Sequence, residues 1–179
     1  MEYNPEIHNR RSIRLKEYDY SQEGYYYVTI CTKNMERWFG NVVNGKMKLS
    51  DIGEIVKFCW HDLPNHYAFC KLDEFVIMPN HVHGIIVIDR ESFVGAGLKL
   101  ALTKPAPTMK RHGLFEIIRA FKTFSSRKIN DLQKSLHFQW HRNYYEHIIR
   151  NEKELYFKCK YIINNPLKWE LDENNPAKF

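Results

Sequence analysis

The chain has no Cys-x-x-Cys pair. Its four cysteines, Cys31, Cys59, Cys70 and Cys159, are scattered, which supports neither a zinc ribbon nor a disulfide framework and fits a reducing cytoplasm. No apolar run reaches the roughly 18 residues that a membrane helix needs. The N-terminal run Met1-Glu2-Tyr3-Asn4-Pro5-Glu6 is polar and lacks the apolar core of a signal peptide. No internal repeat is visible. Acidic residues are scarce in one place. Between Gly97 and Asn143 only Glu116 and Asp131 stand against ten basic residues, so the net charge of +6 is concentrated there and the remainder of the chain is slightly acidic. A basic region of this kind fits a polyphosphate partner such as DNA or RNA, although many soluble basic surfaces bind neither.

What remains is an ordinary globular composition, 44% hydrophobic and 27% charged over 179 residues, enough for one domain with a sizeable core. The most informative run is Phe75 to Ile88, in which His81 and His83 flank one apolar residue. Strand side chains alternate faces, so His81, His83, Ile85 and Val87 share one face, and Val82, Gly84, Ile86 and Ile88 the other. Two imidazoles two positions apart can chelate one divalent ion. Two neutral ligands are too few for a tight zinc site and suit Mg or Mn completed by oxygen ligands. A surface strand with two solvent-facing histidines is the competing reading.

Residues 1–22 read as a basic N-terminal arm containing Arg10, Arg11 and Arg14, and 23–179 as a single domain. Tyr25–Thr32 is rich in β-branched and aromatic residues and predicts a core strand. Asn44-Gly45 between Phe39–Val43 and Lys46–Leu49 predicts a hairpin. Ser50 or Asp51 caps a helix to about His61. Strands follow over Leu72–Met78 and His81–Ile88, with a tight connection at Pro79-Asn80. A flexible linker is expected near 90–112. Leu114, Ile117, Ile118, Phe121 and Ser125 mark a second helix. Tyr144–Ile149 predicts a fourth strand, and Asn151 with Glu154 a capping-box start to a final helix ended by Pro166. This order predicts an α+β, ferredoxin-like split βαβ sandwich: an antiparallel sheet, two helices on one face, and a last helix over part of the other.

On that last helix Tyr161 and Asn165 lie four apart and point at one site. A tyrosine hydroxyl can attack phosphorus, and an asparagine oxygen can ligate a hard cation. A core aromatic and a helix cap are the plainer alternatives. His147, on the same strand face as Tyr145 and Ile149, reads either as a proton relay or ligand support, or as a structural histidine.

Three segments together resemble a known family. Met78-Pro79-Asn80-His81-Val82-His83-Gly84 matches the histidine–hydrophobic–histidine motif of single-tyrosine transposases. Trp140–Arg150 and Tyr161–Pro166 resemble the W-Q-R-x-Y-Y-[DE]-H and Y-I-x-x-N-P segments of the REP-associated tyrosine transposase branch. Arg10–Leu15 and Tyr27–Thr32 also look like that branch, and the resemblance spans nearly the whole chain outside the Lys99–Arg111 linker. It departs at His141, where glutamine is usual. The resemblance implies His81, His83 and Asn165 as metal ligands for Mg or Mn, and Tyr161 as nucleophile. It implies metal-dependent nicking and strand transfer of single-stranded DNA at hairpin-associated sequences through a 5′-phosphotyrosine. Arg119, Lys122, Arg127, Lys128 and Arg142 are the candidate DNA-binding residues. A cytoplasmic protein is expected, a monomer rather than a homodimer, with no membrane partner. The alternatives are a catalytically silent DNA- or RNA-binding relative and a metal-dependent phosphohydrolase that would not need Tyr161.

Overall fold

A computed structural model of the chain describes residues 18–90, 113–132 and 137–176. Most of the expected basic arm, the 91–112 part of the expected linker, and Lys134 lie outside the described residues. The elements run β1 (Gly24–Cys31), β2 (Gly40–Val43), β3 (Lys46–Leu49), α1 (Asp51–His61), a single helical turn α2 (Leu63–His66), β4 (Cys70–Ile77), β5 (His81–Ile88), α3 (Leu114–Leu132), β6 (Tyr145–Ile149) and α4 (Glu152–Asn164). Three-residue-per-turn helices cover Lys33–Met35 and Pro166–Leu171. The main sheet has the order β4-β5-β1-β6 with every neighbour antiparallel. This is the split βαβ arrangement that the element order predicts. No described helix is long and apolar enough to cross a membrane.

Alternation along the strands divides the sheet into two chemically different faces. Tyr26, Val28 and Ile30 of β1 and Val82, Ile86 and Ile88 of β5 join the larger core with Val56 and Trp60 of α1 and Ile117, Ile118 and Phe121 of α3. Gly84 sits on this face because nothing larger fits: a Cβ there would lie 2.3 Å from the Trp60 indole. That indole stacks on Phe75 at 4.9 Å between ring centroids. The opposite face carries the smaller cluster of Tyr27, Ile85, Ile149 and Ile162, which α4 covers. His81 and His83 fall on that second face, as the period of two requires.

Local signals act as expected at three boundaries. Asn44 (φ 52°) and Gly45 (φ 70°) form the left-handed turn of the β2–β3 hairpin. The Ser50 hydroxyl accepts from the Gly53 amide and caps α1. The Asn151 side chain accepts from the Glu154 amide and caps α4. Glu154 does not complete a reciprocal box. Its carboxylate accepts from the Arg150 amide and pairs with His147, tying α4 to β6. The α-helix stops at Asn164, just before Pro166 as expected, and a separate three-residue-per-turn helix begins there. Pro166 occupies the first position of that following turn, where its missing N–H costs nothing.

Candidate metal and tyrosine site

Both histidines are fully buried where β5 begins, opposite Cys31 and Thr29 of β1. Their Nε2 atoms converge to 3.0 Å. The His81 tautomer follows from Asn80. The Asn80 amide nitrogen donates to the backbone carbonyls of Met35 (3.0 Å) and Asn174 (2.7 Å), which fixes which way the amide faces. Its Oδ1 therefore accepts a hydrogen bond from His81 Nδ1–H at 2.8 Å, and His81 Nε2 carries a lone pair. In turn His83 Nε2 donates to that lone pair. His83 Nδ1 accepts at 2.7 Å from the Tyr27 hydroxyl, and Thr29 donates to the same hydroxyl at 3.3 Å while standing 2.8 Å from Nδ1. Burial holds both imidazoles neutral, driving His81 down to about 3 and His83 well below its ordinary value.

The third group is Asp172, which ends the turn after Trp169 and which the sequence reading did not single out. A ligand atom of its buried carboxylate and the two imidazole nitrogens lie within 4.8 Å of one another, the one such group among the described residues. One carboxylate oxygen accepts from the Asn174 amide at 2.7 Å, the other from the Asn165 side-chain nitrogen at 3.0 Å. Asn165 thus orients the carboxylate. Its own Oδ1 is buried with no hydrogen-bond partner, a costly state for a polar atom in a closed site. The donor set fits a divalent cation. Two nitrogens about 2.1 Å from a metal and at right angles are about 3.0 Å apart, which is the separation observed. A carboxylate and a spare amide oxygen add the hard ligands that two histidines lack. A cation would require only that the His83 proton move to Nδ1, where Tyr27 and Thr29 offer oxygen acceptors.

Tyr161 faces this group from α4. Its ring meets the His83 ring edge-on at 5.2 Å and the Tyr27 ring at 6.3 Å, and 43% of the residue is exposed. Burial and the Asp172 charge raise its pKa, while the neighbouring Asn165 side chain pulls the other way. Lys158, one turn before it, lays its ammonium 4.4 Å over the Tyr27 ring, and burial lowers its pKa. The fold therefore brings His81, His83, Tyr161 and Asn165 together, as the spacing predicts. The spacing gave no sign of Asp172, seven residues past Asn165 and beyond a change of helix type. The one available signal was its acidic chemistry just after the tyrosine helix.

The other expected residues lie elsewhere. α3 packs on the opposite face of the sheet, so Arg119, Arg127 and Lys128 are separated from the histidines by the sheet itself. Lys128 rests over the Phe58 ring at 5.0 Å. Lys122 was expected to meet phosphate. Its ammonium instead donates to the carbonyls of His141 (2.6 Å), Arg142 (3.0 Å) and Asn143 (3.5 Å) and clamps that loop to α3. Burial pushes its pKa down to about 8. Arg142 and His141 are exposed on the clamped loop, whose His141 amide donates to Cys31 at the end of β1. His147 makes its bond to Glu154 and serves as the α4 anchor.

No known family profile matches the chain. A protein of Haemophilus influenzae, itself described as uncharacterized, is 45% identical over 178 residues, covering 96% of each chain. Among solved structures, that of a REP-associated tyrosine transposase bound to a REP hairpin aligns with a TM-score of 0.59 over 90% of this chain and 77% of that one. At 15% identity the likeness is one of fold.

Proposed function

We propose, for a chain that belongs to one family with the Haemophilus influenzae protein and has the fold of a REP-associated tyrosine transposase, that it nicks and rejoins single-stranded DNA at hairpin-associated sequences. The reaction passes through a covalent phosphotyrosine at Tyr161. The observation that carries this reading is a half-exposed phenol set edge-on against one of two buried histidines whose ring nitrogens converge beside a carboxylate. A protein that only binds nucleic acid needs none of these groups, and a hydrolase using water does not need the phenol.

His81, His83 and Asp172 would hold a Mg or Mn ion, with Asn165 orienting the carboxylate and offering its spare oxygen. The bound ion supplies charge neutralisation at the non-bridging oxygens of the scissile phosphate. The rest of the chemistry belongs to the chain. Tyr161 Oη attacks phosphorus in line, the Oη–P bond forms and the P–O3′ bond breaks. The departing oxygen takes up a proton, leaving a free 3′-hydroxyl, while the 5′-phosphate stays on the tyrosine. Attack by a 3′-hydroxyl on that linkage reverses the step and joins strands. Because its pKa is raised, the phenol begins protonated, and the neighbouring Asn165 side chain favours the oxygen as it loses its proton. Packing against Tyr27 and His83 restricts the ring and lowers the entropic cost of aligning it.

The test uses a hairpin with a single-stranded flank, labelled at either end, incubated with the protein and Mn and resolved on a denaturing gel. Label at the 3′ end should migrate with the protein, and label at the 5′ end should appear on a shortened strand that a polymerase can extend. Shortened strands without adduct would indicate a hydrolase, and binding without any cleavage a silent relative.

A further inference from the structure

Four residues before Tyr161, on the same edge of α4, stands Phe157, which is 56% exposed. Tyr156 beside it is 60% exposed, and the two rings meet at 5.6 Å. Large aromatic rings left in water next to a reaction site call for a partner. The charges around them say which kind. After Glu154 every charged residue of α4 is a lysine, Lys158 and Lys160, and Lys153 lies one turn before Phe157. Lys160 sits 5.8 Å from the Tyr156 ring centroid. Of the two acids in the first turn of α4, Glu154 has its carboxylate turned to His147 and the Arg150 amide, and Glu152 stands one turn before Tyr156. Aromatic rings interleaved with lysines form a stacking platform for unpaired bases, with the lysines tracking the phosphates. A second copy of the chain docking here would instead bring lysine against lysine.

We infer that the outer face of α4 is the track for the unpaired strand next to the cut, with one base stacked on Phe157, a second on Tyr156, and their phosphates met by Lys153 and Lys160. This rests on Tyr161 being the point of cleavage, since the track is defined by its continuity with that residue. It also separates two tasks. The exposed basic residues of α3 lie behind the sheet, whereas this face lies on the same side as the chemistry and engages only single-stranded DNA.

The experiment measures equilibrium binding by fluorescence anisotropy, over a range of salt, of two labelled DNAs: a blunt hairpin and the same hairpin with a ten-nucleotide single-stranded flank. Phe157→Ala should weaken binding of the flanked DNA about tenfold and leave the blunt hairpin unchanged, because stacking on one base is lost. Phe157→Trp should restore or strengthen it. Lys160→Ala should reduce the salt slope by about one for the flanked DNA alone. Both positions are at the surface, and thermal melts followed by circular dichroism verify that the three variants fold. Equal loss on both DNAs, or no loss on either, overturns the inference. So does a dimer in sedimentation that Phe157→Asp dissociates, which would assign the face to a second copy. Binding is read without cleavage, so absence of an adduct on Tyr161 would overturn the proposed reaction and leave this result to stand or fall separately.

Discussion

Asn80 does its work without touching a substrate. Two backbone carbonyls hold its amide, and the amide decides which nitrogen of His81 carries the proton. Asn80→Ala should leave the fold intact and weaken Mn binding about ten- to a hundredfold, as loss of a group supporting a metal ligand generally does. Calorimetric titration with Mn is the check, and unchanged affinity would mean that the tautomer is set elsewhere. Asp172→Asn removes the anion of the cluster while keeping its size, and a larger loss of Mn affinity is expected. At this scale the sequence was informative where a period applied. A spacing of two on a strand placed His81 beside His83, and a spacing of four on a helix placed Tyr161 beside Asn165. Asp172 obeys neither period. It reaches the site because the chain turns at Pro166 and again after Trp169, and a turn leaves no repeating pattern to read. Asn80 was legible only as half of a tight connection, and its bonds to Met35 and Asn174 are long-range.

Elements were legible to within a residue or two wherever a cap or turn marked their ends: Ser50 for α1, Asn44-Gly45 for the hairpin, Asn151 for α4. Tertiary partners were not. Lys122 shows why: on a helical wheel it belongs to the basic side of α3, yet its three donors are taken by the loop after Trp140. Lys122→Met should therefore cost stability, about 1–3 kcal/mol from three carbonyls left with poorer partners, with little effect on the salt dependence of DNA binding. Urea unfolding and anisotropy together check this. A lowered salt slope with unchanged stability would return Lys122 to the phosphate-binding set. The close approach of α1 to the sheet makes a second expectation. Gly84→Ala places a methyl inside the Trp60 indole and should lower stability by about 1–3 kcal/mol or more. Because Gly84 faces away from the histidines, Mn affinity of the folded fraction should be unaffected.

The whole molecule is a sheet with an apolar, helix-covered face and a chemical face. Burying two imidazoles on the chemical face makes the metal-free protein sensitive to acid. His81 titrates near 6.5 in an unfolded chain and at about 3 when folded. As pH falls through 6.5 the unfolded state takes up a proton that the folded state refuses. Stability is therefore full above that pH and declines between 6.5 and about 3. Urea midpoints of metal-free protein should be lower at pH 5 than at pH 7.5, before carboxylates begin to titrate, and His81→Gln should reduce the difference. A midpoint independent of pH in that window would contradict the buried neutral pair. The divided sheet also explains why net charge was a poor guide to position. The basic segment was plain in the sequence, but which side of a sheet a helix covers depends on packing, and α3 covers the side away from the histidines.

In the proposed reaction the Tyr161 hydroxyl becomes bonded to DNA. The most direct measurement is to incubate the protein with flanked hairpin DNA and Mn, digest both polymers, and locate the nucleotide-bearing peptide by mass spectrometry. A single modified peptide with the added phosphate on Tyr161, absent from the Tyr161→Phe protein although that protein still binds the hairpin, is the expected result. A nucleotide on Tyr145 or Tyr156, or cleavage persisting in Tyr161→Phe, would contradict it.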